Sequence, residues 1–388
     1  MKDTYISEAV KYIGADDTTL DLFESQYQIP NGVSYNSYVI LDEKVAVMDT
    51  IDERKTDEWF ANLENVLNGR TVDYLVISHL EPDHAANIKR AADKFPQAQL
   101  VLSAKAKAML PQFFDIAHLD ERCLVVKEGD TLELGIHKLH FVMAPMVHWP
   151  EVMVEYEETE KILFSADGFG KFGALSAEEE WTDEARRYFI NIVGKYGVQV
   201  QTLLKKAAAL DIQTICPLHG PVLKENLGFY IGKYLTWSSY EPEEDGVLVA
   251  CASIHGNTKA AAEKMVEVLR ANGASKVVFM DLTRDDMAEA VADAFRYGKI
   301  ILAAASYDAW VFPPMEDFLH RLVHKNLQKR TFGLIENGSW APCAAKGMKG
   351  ILEGMKEVNI CENVVSIKST MKDTDVAKME ELAKEILA

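Results

Sequence analysis

Short apolar runs separated by polar turns fill the first half of the chain. Residues 74–78 form one run of strand length, and residues 36–49 contain two runs around a turn at Asp42-Glu43. Residues 152–156 and 161–164 flank a polar turn and predict a hairpin. Further strands are predicted at residues 100–103, 123–127 and 138–143, and helices at residues 56–67, 84–94 and 182–210. The pattern predicts an α+β unit with two sheets flanked by helices.

The second half changes to a regular alternation of strands and helices. Strands are predicted at residues 247–252, 276–280, 299–305, 331–335 and 364–368, and helices at residues 257–271, 285–295, 314–325, 342–358 and 373–387. This alternation predicts a doubly wound, five-stranded parallel sheet. The acidic, apolar-poor stretch at residues 240–245 is the best linker. We therefore predict two domains, at residues 1–242 and 246–388.

Composition narrows the class of protein. The 388 residues are 48% hydrophobic and 26% charged, which is ordinary for globular domains, and their net charge of −19 argues against nonspecific nucleic-acid binding. No run is apolar enough for a signal peptide or a membrane span. The five cysteines are scattered without a Cys-x-x-Cys pair, so we expect reduced thiols in the cytoplasm. A built-in rubredoxin or iron–sulfur module is excluded, since its clustered thiolates are absent.

A dense group of possible metal ligands follows the predicted strand at residues 74–78. His79, Glu81, Asp83 and His84 lie within six positions, and imidazole with carboxylate suits iron, manganese or zinc. A polar loop that starts the next helix would also account for Pro82-Asp83. The cluster is denser than a helix cap requires, which favours the metal site.

Three single candidates occur later, each where an apolar strand meets a loop. These residues are His148, Asp167 and His219. A lone His or Asp at such a place is more often structural, because Asp is common in turns. With the first cluster, however, they complete a set of four histidines and three carboxylates. Two metal ions sharing one bridging carboxylate would use such a set.

Three loops of the second half have the composition of a flavin site. The turn after its first strand contains Ser253, Ile254, His255, Gly256, Asn257 and Thr258, whose backbone N–H groups can wrap a phosphate at a helix N-terminus. The loops after strands three and four contain Ser306, Tyr307, Asp308, Ala309 and Trp310, and Glu336, Asn337, Gly338, Ser339 and Trp340. Their aromatic rings can stack on an isoalloxazine ring. The lack of a dinucleotide Gly-x-Gly-x-x-Gly fingerprint with its acidic residue favours FMN over a nicotinamide cofactor.

The ligand motif resembles that of the metallo-β-lactamase superfamily, over roughly residues 30–225. Glu81 stands where a hydrolase of that superfamily carries histidine, and this harder anionic ligand favours iron and redox chemistry over zinc and hydrolysis. The second half resembles a flavodoxin. An αββα sandwich of this kind fused to a flavodoxin-like domain resembles the flavodiiron protein family over nearly the whole chain.

The flavodiiron resemblance implies a role for each candidate ligand. His79, Glu81 and His148 would hold one iron, Asp83, His84 and His219 the other, and Asp167 would bridge them. In some relatives the side chain matching His84 turns away, so its role stays open. Asp308 departs from the usual asparagine, and Ala304-Ala305 replace Ser-Pro. FMN is still expected, with its potential lowered by the charge of Asp308.

The resemblance also implies an activity and partners. Such a protein reduces O2 to water or NO to N2O, takes electrons from a separate rubredoxin or similar donor, and forms a head-to-tail homodimer or a dimer of dimers. Two ferrous ions and a reduced FMN store the four electrons that O2 requires. The alternatives are a metal-dependent hydrolase with an accessory flavodoxin domain, and an electron carrier or binding module with a vestigial metal site. Glu81 argues against the first, and seven intact ligands argue against the second.

Overall fold

The structure, a computed structural model, describes residues 6–388. These residues form two compact units. The first contains the described residues up to Phe189 together with Val198–Tyr234, and the second contains Ile190–Gly197 and Leu235–Ala388. The division into domains at residues 1–242 and 246–388 stays a prediction. Residues 1–5, on which the prediction that the chain lacks a signal peptide rests, lie outside the described residues.

The first unit is built mainly from short strands joined by short helices. Its strands are β1 (Val10–Tyr12), β2 (Ala15–Asp17), β3 (Leu22–Phe23), β4 (Tyr27–Gln28), β5 (Val33–Tyr35), β6 (Tyr38–Leu41), β7 (Val45–Met48), β8 (Tyr74–Ile77), β9 (Gln99–Ser103), β10 (Cys123–Val126), β11 (Thr131–Glu133), β12 (Lys138–Met143), β13 (Met153–Glu157), β14 (Ile162–Phe164) and β15 (Thr214–Cys216). Its α-helices are α1 (Thr56–Leu67), α2 (Pro82–Ala85), α3 (Ile88–Lys94), α4 (Ala104–Met109), α5 (Leu119–Arg122), α6 (Trp181–Tyr188) and α7 (Gly197–Ala207), followed by α8 (Leu227–Ser238). Single 3₁₀ turns occur at Glu53–Lys55 and Leu110–Gln112.

Two mixed sheets face each other across one core in the first unit. The first sheet has the order β1-β6-β7-β8-β9-β10, with parallel pairing from β7 to β10, and the second has the order β11-β12-β13-β14-β15. Apolar residues from both sheets form a single cluster, including Tyr38 and Val76 from one sheet and Phe141 and Phe164 from the other. This arrangement agrees with the predicted sandwich.

The second unit has the predicted parallel sheet. Its strands are β16 (Glu244–Ala252), β17 (Val277–Asp281), β18 (Tyr297–Tyr307), β19 (Trp310–Val311), β20 (Arg330–Asn337) and β21 (Val358–Ile367). Its helices are α9 (Asn257–Ala271), α10 (Met287–Arg296), α11 (Pro313–His324), α12 (Ala344–Leu352) and α13 (Asp373–Leu387). The five parallel strands have the order β17-β16-β18-β20-β21, and β19 forms a short antiparallel ribbon with the end of β18. This strand order is that of the flavodoxin-like doubly wound fold.

Three predicted helices differ from those observed. The helix predicted at residues 84–94 is two helices, α2 and α3, because Asn87 between them donates its amide to the carbonyl of Ile51. The helix predicted at residues 182–210 is interrupted by a wide turn at Phe189–Val193 and a 3₁₀ turn at Gly194–Tyr196. Two glycines and several β-branched residues weaken the helix there. The helix predicted at residues 342–358 ends at Leu352, and β21 already begins at Val358.

Among the described residues, no helix combines the length and the apolar character that a bilayer-spanning segment needs.

Candidate functional site

The seven predicted metal ligands lie together at one end of the two-sheet sandwich. His79 and Glu81 follow β8, and Asp83 and His84 are in the short helix α2, all at the end of the first sheet. The remaining three ligands follow strands of the second sheet: His148 comes after β12, Asp167 after β14 and His219 after β15. Both sheets therefore contribute to the site, as expected for a site built on strand ends.

The first group consists of His79, Glu81, His148 and Asp167. The Oε2 atom of Glu81 is 3.0 Å from the Nε2 atom of His148 and 3.3 Å from that of His79. The Oδ2 atom of Asp167 is 3.2 Å and 3.5 Å from the same two nitrogens. Two imidazole nitrogens and two carboxylate oxygens thus converge on one point.

The second group consists of Asp83, His84 and His219. The Oδ2 atom of Asp83 is 3.4 Å from the Nε2 atom of His84 and 3.2 Å from that of His219. The Oδ1 atom of Asp167 is 3.1 Å from the Nε2 atom of His84 and 3.8 Å from that of His219. The two oxygens of Asp167 therefore face different groups, which is the arrangement of a bridging carboxylate.

Buried polar atoms without hydrogen bonds mark these two groups. Within the part of the chain that the structure describes, both carboxylate oxygens of Asp83 and of Asp167 lack a hydrogen-bond partner, as do both ring nitrogens of His84 and the Nε2 atom of His219. Leaving one buried polar group unsatisfied costs about 1–3 kcal/mol. Cations placed between the Nε2 atoms of the histidines and these carboxylate oxygens would satisfy them, so the residues present fit a two-metal site. Their mixture of imidazole and carboxylate suits iron, manganese or zinc.

Two hydrogen bonds orient histidine rings toward the site. The Nδ1 atom of His79 lies 2.8 Å from Glu151 Oε1, and the Nδ1 atom of His219 lies 2.8 Å from the carbonyl oxygen of Ser34. Because a carbonyl or an ionised carboxylate only accepts, each Nδ1 donates and each Nε2 keeps its lone pair for a metal. Glu151 was not predicted from the sequence. Its nearest signal was a charged residue three positions after His148, beside the buried residues 152–154.

The carboxylates of the site raise the pKa values of two of its histidines. Burial lowers the pKa of His84, but the negative charges of Asp83 and Asp167 outweigh it and raise that pKa to about 9. Burial likewise lowers the pKa of His148, and its contacts with Asp167 and Glu81 raise it to about 9. The imidazoles of His84 and His148 thus carry protons at neutral pH when no cation balances the carboxylates.

A second buried glutamate, Glu155, lies beneath the site, and its pKa is raised. Glu155 on β13 accepts a hydrogen bond from the hydroxyl of Ser78 at 2.9 Å. Burial raises its pKa well above the usual value, and the charge of Asp49 raises it further. Asp49 itself accepts a hydrogen bond from the backbone N–H of Ser78 at 2.8 Å. Burial thus favours the protonated form of the Glu155 carboxyl group.

The three predicted flavin loops lie at one edge of the second unit, at the carboxyl ends of β16, β18 and β20. Ala252 pairs with Ala304, and Ala304 pairs with Glu336, so the loops that follow start side by side. Gly256 has a positive φ of 93° where the turn enters α9, and no atom lies within 4 Å of where its Cβ would be. The turn thus leaves open space at the start of a 15-residue helix.

These loops divide into exposed and buried side chains. Tyr307 and Trp310 are 45% and 44% exposed, and Trp340 is 89% exposed. Exposed aromatic rings at this edge of a doubly wound sheet fit a stacked ring ligand. Glu336 and Asn337, in contrast, are buried: Glu336 accepts a hydrogen bond from the backbone N–H of Ala345 at 2.9 Å. The side chain of Glu336 thus holds the start of α12.

Comparisons with known proteins agree with this arrangement. The model of the ODP family beta lactamase matches residues 33–220. A nitric oxide reductase of Moorella thermoacetica is 26% identical, over 99% of this chain and 98% of its own length. The rubredoxin oxygen:oxidoreductase of Desulfovibrio gigas has a TM-score of 0.91 at 25% identity, over 99% of this chain and 97% of that one.

A further solved structure shares the fold of this chain at low sequence identity. The flavodiiron protein of Giardia intestinalis has a TM-score of 0.88 at 23% identity, over 100% of this chain and 97% of that one. These likenesses span both units, and the matched beta-lactamase model includes all seven candidate ligands. Along its whole length the chain is thus similar to flavodiiron proteins, and it is an oxidoreductase.

Proposed function

We propose that this protein reduces O2 to water, NO to N2O, or both, at two irons in the first unit, with electrons arriving through FMN in the second unit. His79, Glu81 and His148 would hold one iron, and Asp83, His84 and His219 the other. Asp167 would bridge the two. When bound, the irons would take up the gas and, together with FMN, supply the electrons for its reduction.

The position of Asp167 carries this proposal. Each of its oxygens lies within 3.5 Å of a histidine Nε2 atom in a different group. Asp167 is also buried, and its burial raises its pKa, but the charge of His84 and the contacts of His148 bring the net pKa well below the usual value. An ionised, shared carboxylate suits two neighbouring cations.

The other residues have separate roles around the site. Glu81 and Asp83 add negative charge that balances cations, and Glu151 and the carbonyl of Ser34 keep two imidazoles turned inward. The edge of Trp149 packs against His79, with ring centroids 5.2 Å apart. Such apolar contact limits water around the ligand.

FMN is proposed from the loops of the second unit. The turn from Ser253 to Thr258 would receive the phosphate at the start of α9, and the rings of Tyr307, Trp310 and Trp340 would border the isoalloxazine. The proposed source of electrons is a separate rubredoxin or a similar carrier. The similar Desulfovibrio gigas protein is named for rubredoxin and oxygen, and the Moorella thermoacetica protein for nitric oxide.

The decisive experiment measures gas consumption together with cofactor content. Purified full-length protein should contain two irons and one FMN per chain. With rubredoxin and its reductase as donors, it should consume O2 or NO in anaerobic steady-state assays that supply one gas at a time. Zinc in place of iron, with phosphodiesterase or thioesterase turnover and no gas consumption, would establish the hydrolase alternative instead.

The variant Glu81→His separates the two alternatives at one residue. Glu81 Oε2 contacts both histidines of the first group, and replacing it by imidazole gives the ligand that a hydrolase carries. Iron retention or gas turnover should fall, while FMN content should not change because FMN is bound in the other unit. Unchanged iron content and turnover would show that Glu81 does not favour iron.

A further inference from the structure

An apolar cavity of about 30 Å³ lies within the first unit, between the second sheet and α7. On the sheet side its wall includes Val154 on β13 and Leu163 on β14. On the helix side it includes Val200 and Leu204, which are four residues apart and so share one face of α7. About 10–15 Å³ is enough for one water-sized sphere, so this volume has room for a diatomic molecule.

The polar groups in the cavity wall are already hydrogen-bonded. The hydroxyl of Ser165 donates to the carbonyl oxygen of Gly168 at 2.6 Å, and the hydroxyl of Tyr234 accepts from the backbone N–H of Phe169 at 2.5 Å. The rings of Phe169 and Tyr234 stack with centroids 4.2 Å apart. A water molecule inside would find few partners, and apolar cavities of this kind stay dry and accept apolar guests.

The cavity wall and the metal-ligand cluster share two segments of chain. Val147 lines the cavity and directly precedes His148, while Gly168 and Phe169 line it and directly follow Asp167. Adjacent Cα atoms are about 3.8 Å apart, so the wall lies one residue away from two ligand candidates. No other cavity with these neighbours occurs among those described for residues 6–388.

We propose that this cavity binds the gaseous substrate, an apolar diatomic molecule such as O2 or NO, beside the metal cluster before it reacts. The inference rests on the proposed function for its physiological ligand, but the binding of an apolar atom does not depend on that function. Transfer of a gas from water into a dry apolar space is favourable, so its local concentration near the ligands rises. The wall residues hold the gas without contacting the reacting atoms.

Xenon is the direct probe, since it is apolar, similar in size to a diatomic gas and visible to X-rays. Crystals of the full-length protein pressurised with xenon should show a xenon peak between Leu204 and the stacked rings of Phe169 and Tyr234. The absence of xenon there, with xenon elsewhere or nowhere, would overturn the proposal even if the protein consumes both gases. Failure to consume either gas would overturn the proposed function alone.

Filling the cavity tests its role in delivering the gas. The variants Leu204→Phe and Ala207→Leu add volume from two positions on α7, so one can be used if the other does not fold. Each should abolish the xenon peak and raise the KM for the gas several-fold at unchanged kcat, iron and FMN content. A rise in KM at constant kcat is the signature of lost ground-state binding.

The matched control is Val198→Phe on the same helix. Val198 is 70% exposed and is not part of the cavity wall, so this variant should keep both the xenon peak and the native KM. A filled cavity with an unchanged KM would overturn the delivery role. An equal rise of KM in Val198→Phe would assign the effect to the helix rather than to the cavity.

Discussion

At the scale of single residues, two buried glutamates four positions apart have pKa values shifted in opposite directions. Glu151 accepts hydrogen bonds from the ring of His79 and from the backbone N–H of Leu80. Burial raises the pKa of Glu151, but the bond from His79 outweighs burial and leaves it below the usual value. Glu155 is bonded only to the neutral hydroxyl of Ser78 among the described residues, and its pKa is raised. The charged form is therefore favoured for Glu151 and the protonated form for Glu155.

This contrast predicts different effects of the same substitution. Glu151→Gln removes the charge that holds His79, and metal affinity should fall about 10–100-fold, as is typical for residues that orient a ligand. In Glu155→Gln a neutral amide of the same shape replaces a carboxyl group that burial favours in its protonated form, so metal affinity should stay unchanged. The measurement is iron content after dialysis against graded chelator concentrations. Equal iron loss in both variants would show that Glu151 has no orienting role.

Glu155 also predicts a dependence of stability on pH. An acid whose folded pKa lies above its unfolded value of 4.5 stabilises fully below that value, and the stability is lost as pH rises toward the folded pKa. Glu155→Gln removes this loss. Its melting temperature relative to the native protein should therefore increase as pH rises from 4.5 toward neutrality. A difference that stays constant with pH would mean that Glu155 is ionised in the folded protein.

Most of the candidate site follows from the sequence, and the reason lies in strand ends. His148, Asp167 and His219 each come after an apolar run, and such runs place the next residues at the rim of a sheet. Glu151 could not be predicted in the same way. Its contact with His79 spans 72 residues and exists only because the loop after β12 folds back on the end of β8. A local pattern contains no information about that pairing.

At the scale of elements, a buried arginine joins a helix end to a strand start in the second unit. Arg330 begins β20 and is 2% exposed. Its guanidinium donates to the carbonyl oxygen of Ala294 in the last turn of α10 at 3.0 Å and to that of Tyr240 at 2.7 Å. Burial lowers its pKa to about 10, so it stays charged at neutral pH. A cation at a helix C-terminus stabilises it.

Replacing this arginine should therefore destabilise the second unit. Arg330→Met leaves several buried carbonyl oxygens without donors, at a cost of about 1–3 kcal/mol, because unsatisfied buried acceptors are expensive. Arg330→Lys keeps the charge but loses the planar guanidinium with its several N–H donors. Its free energy of unfolding should therefore lie between those of the native protein and of Arg330→Met. Urea unfolding followed by circular dichroism measures the change. Arg321→Met on α11, a partly exposed position whose guanidinium pairs with Asp317, is the control and should change stability by less than about 0.5 kcal/mol.

The sequence predicted elements well where periodicity was strong. The predicted bounds of α1, α9 and α13 agree with the structure, since amphipathic spacing continues along each. Very short strands such as β3 and β4 were not predicted, because two residues are too few to show an alternation of apolar and polar positions. The helix predicted at residues 342–358 was too long because apolar spacing continued past Leu352, whereas Gly354 and the pairing of β21 with β20 end it. Tertiary pairing, rather than local preference, decided these cases.

At the scale of the whole molecule, the proposed electron path concerns how copies of the chain assemble. We propose a head-to-tail homodimer, or a dimer of dimers, in which the FMN of one copy lies beside the irons of the other. Sedimentation should then show dimers or tetramers. Dilution below the dissociation constant should reduce gas turnover per chain, while donor-driven reduction of FMN continues. Full turnover by a monomer at every concentration would contradict this arrangement.

The candidate ligands come from two sheets, and this determines when each ligand group becomes complete during protein synthesis. Each metal group combines ligands that follow β8 with ligands from the second sheet, so neither is complete until Asp167 or His219 has been synthesised. About 140 residues separate His79 from His219, which corresponds to roughly 7–28 s of translation at 5–20 residues per second. At the start of that interval the nascent chain has two of the four candidate ligands of the first group and two of the three of the second. Tight metal binding therefore requires a first unit whose two sheets have already packed together.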